Sequence, residues 1–153
     1  MINNEISNID FSPILEEMLI QEKIVQIVLS GFSMFPFLVH NDIVQIKTID
    51  IENLKIGDVV VFKIDNKWVT HRLIKRNRKK NLFYTRGDSK LIKDNPIKPE
   101  QIKGTVTKIV KSRWKLAHFA IGNNRKFIAF CLPVIAPITN FLIWVWTKIN
   151  HKN

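Results

Sequence analysis

A run of 21 residues without a charge, 127–147, most constrains the fold of this chain. Sixteen of the 21 are apolar, and basic residues flank the run on both sides. As a helix it is long enough to cross a bilayer core, with Trp144 and Trp146 in the position of an interfacial aromatic belt. Pro133 and Pro137 weaken this prediction without excluding it. The alternative is a buried amphipathic helical hairpin, and either structure needs an apolar partner that a small β domain is not expected to supply.

Upstream of this run, short β-branched and aromatic segments separated by turn residues predict a mostly β body. The predicted strands are 24–29, 43–47, 58–64, 68–75, 82–86 and 102–110, with a basic loop over 76–81. Asp65-Asn66 is typical of the tight turn of a hairpin. Ser12-Pro13, followed by apolar residues at helical spacing, predicts a short N-terminal helix that packs on the domain or on a membrane surface.

The net charge of +11 is unevenly distributed. Residues 1–70 contain 5 Lys/Arg and 10 Asp/Glu, a net charge of −5, whereas residues 71–153 contain 19 and 3, a net charge of +16. The basic half indicates an acidic partner, for which nucleic acid and an anionic membrane surface are the two usual candidates. The polar start, residues 1–10, does not have the pattern of a signal peptide.

Cysteine and histidine usage limits the chemistry. The single Cys131 excludes an intrachain disulfide. No Cys/His cluster has zinc-ligand spacing, so neither a metal nor a cofactor is predicted.

Ser33 is a candidate nucleophile. It follows the first predicted strand, Gly31 permits a sharp exit from that strand, and Pro36 ends the segment. A lone serine near a glycine is more often a turn residue. The hypothesis therefore depends on partners further along the chain.

His71 and two aspartates are the candidate partners. Strand alternation places His71 on the same face as Val69 and Leu73, where a histidine is more often a core residue than a catalyst. A serine nucleophile needs a base, and that base needs a carboxylate to fix its tautomer. Asp88 and Asp94 are the only aspartates after His71, and alone they have ordinary interpretations as a turn residue and a solvated charge.

Five segments resemble, in order, the sequence boxes of the signal peptidase I family. They are Ser-Gly-Phe-Ser-Met-Phe-Pro (30–36), Asn-Asp-Ile-Val (41–44), Ile-Gly-Asp-Val-Val-Val-Phe (56–62), Thr-His-Arg-Leu-Ile (70–74) and Thr-Arg-Gly-Asp-Ser-Lys (85–90). The resemblance covers residues 24–110. Most bacterial members have a lysine in the place of His71, so the chain resembles the Ser-His branch known from endoplasmic reticulum, archaeal and sporulation-type signal peptidases.

The resemblance implies roles for individual residues. Ser33 would be the nucleophile, His71 the base, and Asp94, six residues after the box aspartate Asp88, the residue that orients His71. Asp88 would buttress the site. Many members carry a serine at the place of Gly31 that helps form the oxyanion hole, so here the hole would depend on backbone N–H groups, including that of Ser33.

The resemblance also implies a coiled antiparallel β-sheet peptidase domain with an apolar groove against the membrane. The expected organisation is an N-terminal helical arm (1–23), a catalytic domain (24–112) and a basic and apolar tail (113–153) that is a possible membrane anchor. Residues 72–80 are expected to lie against anionic headgroups. Family members usually have their anchor at the N-terminus and work on the outer face, whereas the positive-inside tendency favours the cytoplasmic face here. The side of the membrane therefore stays open.

The expected function is that of a serine endopeptidase at the cell membrane that removes signal or leader segments from secreted or modified peptides. Its partners would be the precursor peptide and an anionic membrane surface. Two alternatives stay open. A LexA-type peptidase cuts its own linker with a Ser-Lys pair, but His71 replaces that lysine and no DNA-binding domain is predicted before Ser33. A basic nucleic-acid-binding module is disfavoured because the aromatic residues do not interleave with 75–80, so no nucleic acid is expected.

Overall fold

The computed structural model describes residues 12–21, 24–65 and 67–150. Within these residues there are six strands and three α-helices. The strands are β1 (Val25–Val28), β2 (Ile43–Lys47), β3 (Val59–Ile64), β4 (Lys67–Asn77), β5 (Leu82–Arg86) and β6 (Ile102–Lys111), and the helices are α1 (Ser12–Ile20), α2 (Ala117–Ala120) and α3 (Arg125–Asn150). The polar start, for which no signal peptide is predicted, lies outside the described residues.

The strands form one sheet in the order β1-β2-β6-β3-β4-β5, and every neighbouring pair is antiparallel. The predicted hairpin joins β3 to β4, with Asp65 at a φ of 47° in its turn, while Asn66 lies outside the described residues. The prediction of a mostly β fold with a short N-terminal helix and a C-terminal apolar helix is confirmed. The predicted basic loop is shorter than expected, because Arg76 and Asn77 continue β4 by pairing with Phe83 and Leu82.

Both faces of the central strand β3 are covered. Val59 and Val61 belong to one hydrophobic cluster, and Val60 and Phe62 belong to the other. A strand that is buried on both faces has a continuous apolar sequence rather than an alternating one, which is the pattern Val-Val-Val-Phe of this segment. The sheet therefore separates two cores.

Helix α1 packs on the domain. Leu19 is buried in the first cluster, and its carbonyl accepts a hydrogen bond of 2.6 Å from Thr48 Oγ1. Glu16 Oε1 and Lys63 Nζ form an ion pair at 2.7 Å. The sequence predicts that this helix packs either on the domain or on a membrane surface, and in the structure it packs on the domain.

Helix α3 is one continuous helix that contains Pro133 and Pro137. Residues spaced by three or four positions form a buried stripe on its inner side: Ile128, Leu132, Ala136 and Thr139. Ile128 and Leu132 belong to the first hydrophobic cluster. The expectation that the β domain would supply no apolar partner is therefore wrong for this face of the helix.

The outer side of α3 is apolar and exposed. Its large exposed side chains are Phe127, Phe130, Val134, Ile138, Phe141, Leu142, Trp144 and Ile149. By length and composition, residues 125–145 could cross a membrane. The helix thus combines a face that belongs to the domain core with a face that water does not favour.

The inner stripe of α3 should contribute to stability. We expect Leu132→Ala to lower the free energy of unfolding by about 2–5 kcal/mol, because Leu132 is fully buried and its truncation leaves a cavity. Phe130→Ala on the outer side of the same helix, where the side chain is 83% exposed, should change it by less than about 0.5 kcal/mol. Denaturant unfolding in detergent measures both variants, and equal losses would contradict the packing described here.

Candidate active site

Ser33 lies in the loop that connects β1 to β2. Gly31 opens this loop with a φ of 83°, a left-handed conformation that favours glycine. Met34 and Leu38 bury their side chains in the first hydrophobic cluster, and the N–H of Leu38 donates to the carbonyl of Met34 at 3.0 Å. Ser33 itself stays partly exposed. The loop therefore holds the serine at the surface on an apolar base.

The base of the loop is closed by backbone hydrogen bonds. The N–H of Leu29 donates to the carbonyl of Asp42 at 2.8 Å, and the N–H of Asn41 donates to the carbonyl of Leu29 at 2.9 Å. Asp42 is buried, and its Oδ2 accepts a hydrogen bond of 2.9 Å from the N–H of Val39. These contacts fix both ends of the segment that carries Ser33.

The structure brings His71 and Asp94 into contact. His71 Nδ1 lies 2.6 Å from Asp94 Oδ2. The same carboxylate oxygen accepts a hydrogen bond of 2.7 Å from Thr85 Oγ1, and the N–H of Asp94 donates to the carbonyl of Thr85 at 2.9 Å. His71 is only 3% exposed, and its ring packs edge-on against Phe62. Asp94 is thus fastened to β5 and oriented toward the imidazole.

Asp94 is held in its ionised form. Burial by itself would raise the pKa of Asp94, but the hydrogen bond and charge of His71, the hydrogen bond of Thr85 and the charge of Lys90 outweigh it, so the pKa lies below its ordinary value. The carboxylate therefore stabilises the fold above the pKa of an unfolded aspartate, and this stabilisation is lost as the pH falls through the lower folded pKa. In a neutral imidazole, an ionised Asp94 favours the tautomer with the proton on His71 Nδ1, in which Nε2 is an acceptor.

Asp88 has a different partner. Its two carboxylate oxygens accept hydrogen bonds from Arg72, at 2.8 Å from Nε and 2.6 Å from Nη2. Arg72 Nη1 also donates to the carbonyls of Gly57 and Ala120, each at 2.8 Å. Burial raises the pKa of Asp88, and the Arg72 guanidinium opposes this shift. Both side chains are fully buried, so the expectation that Arg72 lies against lipid headgroups is wrong.

Ser33 and His71 line one cavity of about 410 Å³ between β1 and the start of β4. Gly87 shows how close they are: a Cβ at this position would lie 2.5 Å from the carbonyl oxygen of Ser33 and 3.0 Å from His71 Nε2. Only glycine fits between them without a shift of the backbone. The imidazole nitrogen that does not face Asp94 therefore faces the loop of Ser33.

The hydroxyl of Ser33 and the imidazole of His71 are close but not hydrogen-bonded to each other. Among the described residues, no hydrogen bond joins Ser33 Oγ to His71, and the N–H of Ser33 donates none. The N–H of Gly31 is directed to His40 Nδ1 at 3.4 Å. Of the predicted backbone donors, the N–H of Ser33 is thus available to a ligand.

Some residues of the site were missed by the sequence analysis. Thr85, Arg72 and Ser89 each bind a predicted site residue or its loop. All three lie within the segments that resemble family boxes, which is the signal that could have singled them out. Among the residues that the structure describes, no group of three or more His, Cys, Asp or Glu is arranged to hold a metal ion.

Comparisons with family models, with curated proteins and with solved structures found no match to this chain. The roles of Ser33, His71 and Asp94 therefore stay predictions, argued from the residues themselves and from their geometry.

The buried pair of Arg72 and Asp88 should be structural. We expect Asp88→Asn to lower the free energy of unfolding by about 3–5 kcal/mol, because it leaves the Arg72 charge buried without a counter-ion. Asp65→Asn, at an exposed turn, removes the same charge and should change stability by less than about 0.5 kcal/mol. Thermal and denaturant unfolding compare the two variants; an Asp88→Asn protein as stable as the control would show that the pair has no structural role.

Proposed function

We propose that the chain is a membrane-associated serine endopeptidase that removes signal or leader segments from secreted or modified peptides. One observation carries this proposal. Asp94 holds His71 Nδ1 at 2.6 Å, and the opposite nitrogen, Nε2, faces the loop of Ser33 across a shared cavity. A base oriented by a carboxylate beside a partly exposed serine is the arrangement that acyl transfer by serine requires.

In the proposed reaction, Ser33 Oγ attacks the scissile carbonyl and gives its proton to His71 Nε2. Binding of the peptide would turn the hydroxyl toward Nε2, because catalytic hydrogen bonds are often open in the free enzyme. His71 then protonates the leaving amine, which departs and leaves an acyl-serine. A water molecule, deprotonated by His71, hydrolyses this ester and restores Ser33.

Asp94 and the backbone supply charge stabilisation during this cycle. The Asp94 carboxylate stabilises the imidazolium that forms on His71 in each half-reaction, and its low pKa keeps it ionised. The N–H of Ser33 would donate to the oxygen of the tetrahedral intermediate. No cofactor is needed for these steps.

An extended peptide fits the geometry around the cavity. In the described sheet β1 is a terminal strand, and its last residues line the cavity beside Ser33. A terminal strand offers N–H and C=O groups with which a substrate peptide can pair in an extended conformation. The resemblance to signal peptidase I implies small side chains at the first and third substrate positions before the cut.

The outer side of α3 is the proposed contact with an anionic membrane surface. The exposed apolar residues Trp114, Leu116 and Phe119 come just before the helix, interleaved with the exposed cations Arg113 and Lys115. Aromatic side chains among cations are typical of a protein surface that lies at a lipid interface.

Two features favour a helix that lies along the membrane over one that crosses it. The inner stripe of α3 is covered by the domain, so lipid cannot surround the helix. Pro133 and Pro137 lie on the exposed side, where each frees a carbonyl one turn earlier. Water and headgroups at the interface can satisfy these carbonyls, whereas a hydrocarbon core cannot.

Cleavage by the three predicted residues is testable in cells. We expect Ser33→Ala and His71→Ala to abolish cleavage of a precursor from the genomic neighbourhood of this protein, and Asp94→Asn to lower kcat on the order of 10⁴-fold, the figure for the analogous change in a serine-protease triad. Ser112→Ala, His118→Ala and Asp65→Asn are the matched controls and should cleave normally. Immunoblots of precursor and product in co-expressing cells give the result, and full activity of Ser33→Ala would refute the mechanism.

The orientation of α3 is testable with single cysteines. In a Cys131→Ala background, Lys126→Cys and Lys148→Cys place one thiol near each end of the helix. If α3 lies along the surface of sealed anionic vesicles, a membrane-impermeant maleimide added outside should label both positions. Labelling of only one position would show that the helix crosses the membrane. If the protein does not sediment together with the vesicles, it does not bind them.

A further inference from the structure

We infer that α3 belongs to the catalytic unit and that Asn140 is a positioning residue, which holds the loop of Ser33 through Ser89. The inference rests on the proposed function of Ser33 and deepens it. It assigns a role in the site to a residue of the apolar helix, 107 positions away in sequence from the nucleophile.

A chain of hydrogen bonds connects the helix to the serine. Asn140 Nδ2 donates to the carbonyl of Ser89. The N–H of Ser89 donates to the carbonyl of Ser33 at 3.0 Å. The single hydroxyl proton of Ser89 is shared between the carbonyls of Phe32 and Ser33, which lie 2.9 Å and 3.0 Å from Oγ. Ser89 is therefore fixed on one side by the helix and fixes the nucleophile loop on the other.

Asn140 is an unusual residue for its position. It lies within the charge-free run, where an amide is costly unless its hydrogen bonds are made. Its neighbour Thr139 is buried, but its hydroxyl donates within the helix, to the carbonyl of Ala136 at 3.0 Å. Of these two polar side chains, only Asn140 reaches across to the domain.

The start of α3 is fixed independently. Arg125 Nε lies 3.1 Å from Asp58 Oδ1, and a Cβ on Gly57 would lie 2.4 Å from the backbone of Arg125. Asn140 follows Arg125 by 15 residues, about 22 Å along a helix. Contacts at two separated points fix the position of the helix along its axis relative to the sheet. The amide of Asn140 is therefore held at a fixed position beside Ser89.

The chain of contacts ends at Ser33, whose position relative to His71 Nε2 should determine the rate of the proposed reaction. The carbonyl of Ser33 packs against Gly87, with His71 Nε2 on the same side. A displacement of about 1 Å in a reacting group can lower a rate on the order of 10²-fold. Neither Ser89 nor Asn140 lines the cavity, so their loss should affect the placement of Ser33 and not the affinity for the peptide.

Asn140→Asp tests the inference, because it keeps the shape of the side chain and removes the donor. Thr139→Val is the matched control, one residue away and also isosteric. We expect Asn140→Asp to lower kcat about 10-fold to 100-fold with KM unchanged. Thr139→Val should leave both constants at the wild-type values. Equal kcat in the two variants would overturn the inference.

A double variant separates a shared role from general damage. Ser89→Ala removes the hydroxyl that binds the two loop carbonyls. If Asn140 acts through Ser89, the loss of kcat in Ser89→Ala/Asn140→Asp should be smaller than the product of the two single losses. Losses that multiply would show that Asn140 acts elsewhere and would overturn the inference.

Hydrogen exchange tests the same contacts without a substrate. We expect Asn140→Asp to speed amide exchange in peptides that cover 28–39 and 87–91, while exchange in β3 stays unchanged, and Thr139→Val to change neither. Unchanged exchange at 87–91 would overturn the inference whether or not the protein is a peptidase. If Asn140→Asp speeds exchange at 87–91 but the wild-type protein cleaves no precursor, the proposed function is wrong. The contact through which Asn140 positions the loop is then still established.

Discussion

The buried pair of Arg72 and Asp88 is the interaction on which the rest of the structure depends. The Arg72 guanidinium binds the turn after β5 through Asp88, the turn before β3 through the carbonyl of Gly57, and the end of α2 through the carbonyl of Ala120. These three segments are far apart in sequence from one another, and none of them could satisfy the buried charge alone. Breaking a pair of this kind leaves an uncompensated charge in the interior, so the sheet, the turn after β5 and the end of α2 are stabilised together.

Strand alternation lets two adjacent residues of β4 serve two separate aspartates. His71 lies on the face of the second cluster and contacts Asp94, whereas Arg72 lies on the opposite face, near Phe37 of the first cluster, and contacts Asp88. The aspartates therefore do not compete for one partner. Because β5 and its following loop are held by both pairs, the catalytic geometry proposed for His71 depends on the structural pair beside it.

The sequence predicts what depends on local pattern. Strand alternation predicts that His71 shares a face with Val69 and Leu73, and in the structure Val69 and Leu73 both belong to the second cluster. The turn residues predict the β3–β4 hairpin. Contacts over long separations were not predictable in this way. Asn140 and Ser89 are 51 positions apart, and an asparagine in an apolar run carries no local sign of its partner. The extension of β4 through Arg76 was missed because a basic residue weakens a strand pattern, while its guanidinium stacks over Phe83 at 5.0 Å. The side of α3 that is covered depends on the shape of the assembled sheet.

Helix α3 connects the two parts of the proposed function. Its Ile128 and Leu132 belong to the core, its Asn140 binds Ser89 beside the loop of Ser33, and its outer side is apolar and exposed. If the helix lies along the membrane, the contact that positions the serine also fixes the height of the site above the bilayer, because the same rigid helix sets both. The scissile bond of a leader that emerges from the membrane would then meet Ser33 at a constant distance from the surface. A helix that crossed the bilayer would have to leave the sheet, and with it the contact between Asn140 and Ser89. The proposed membrane contact and the proposed catalytic geometry therefore require the same docked position of α3.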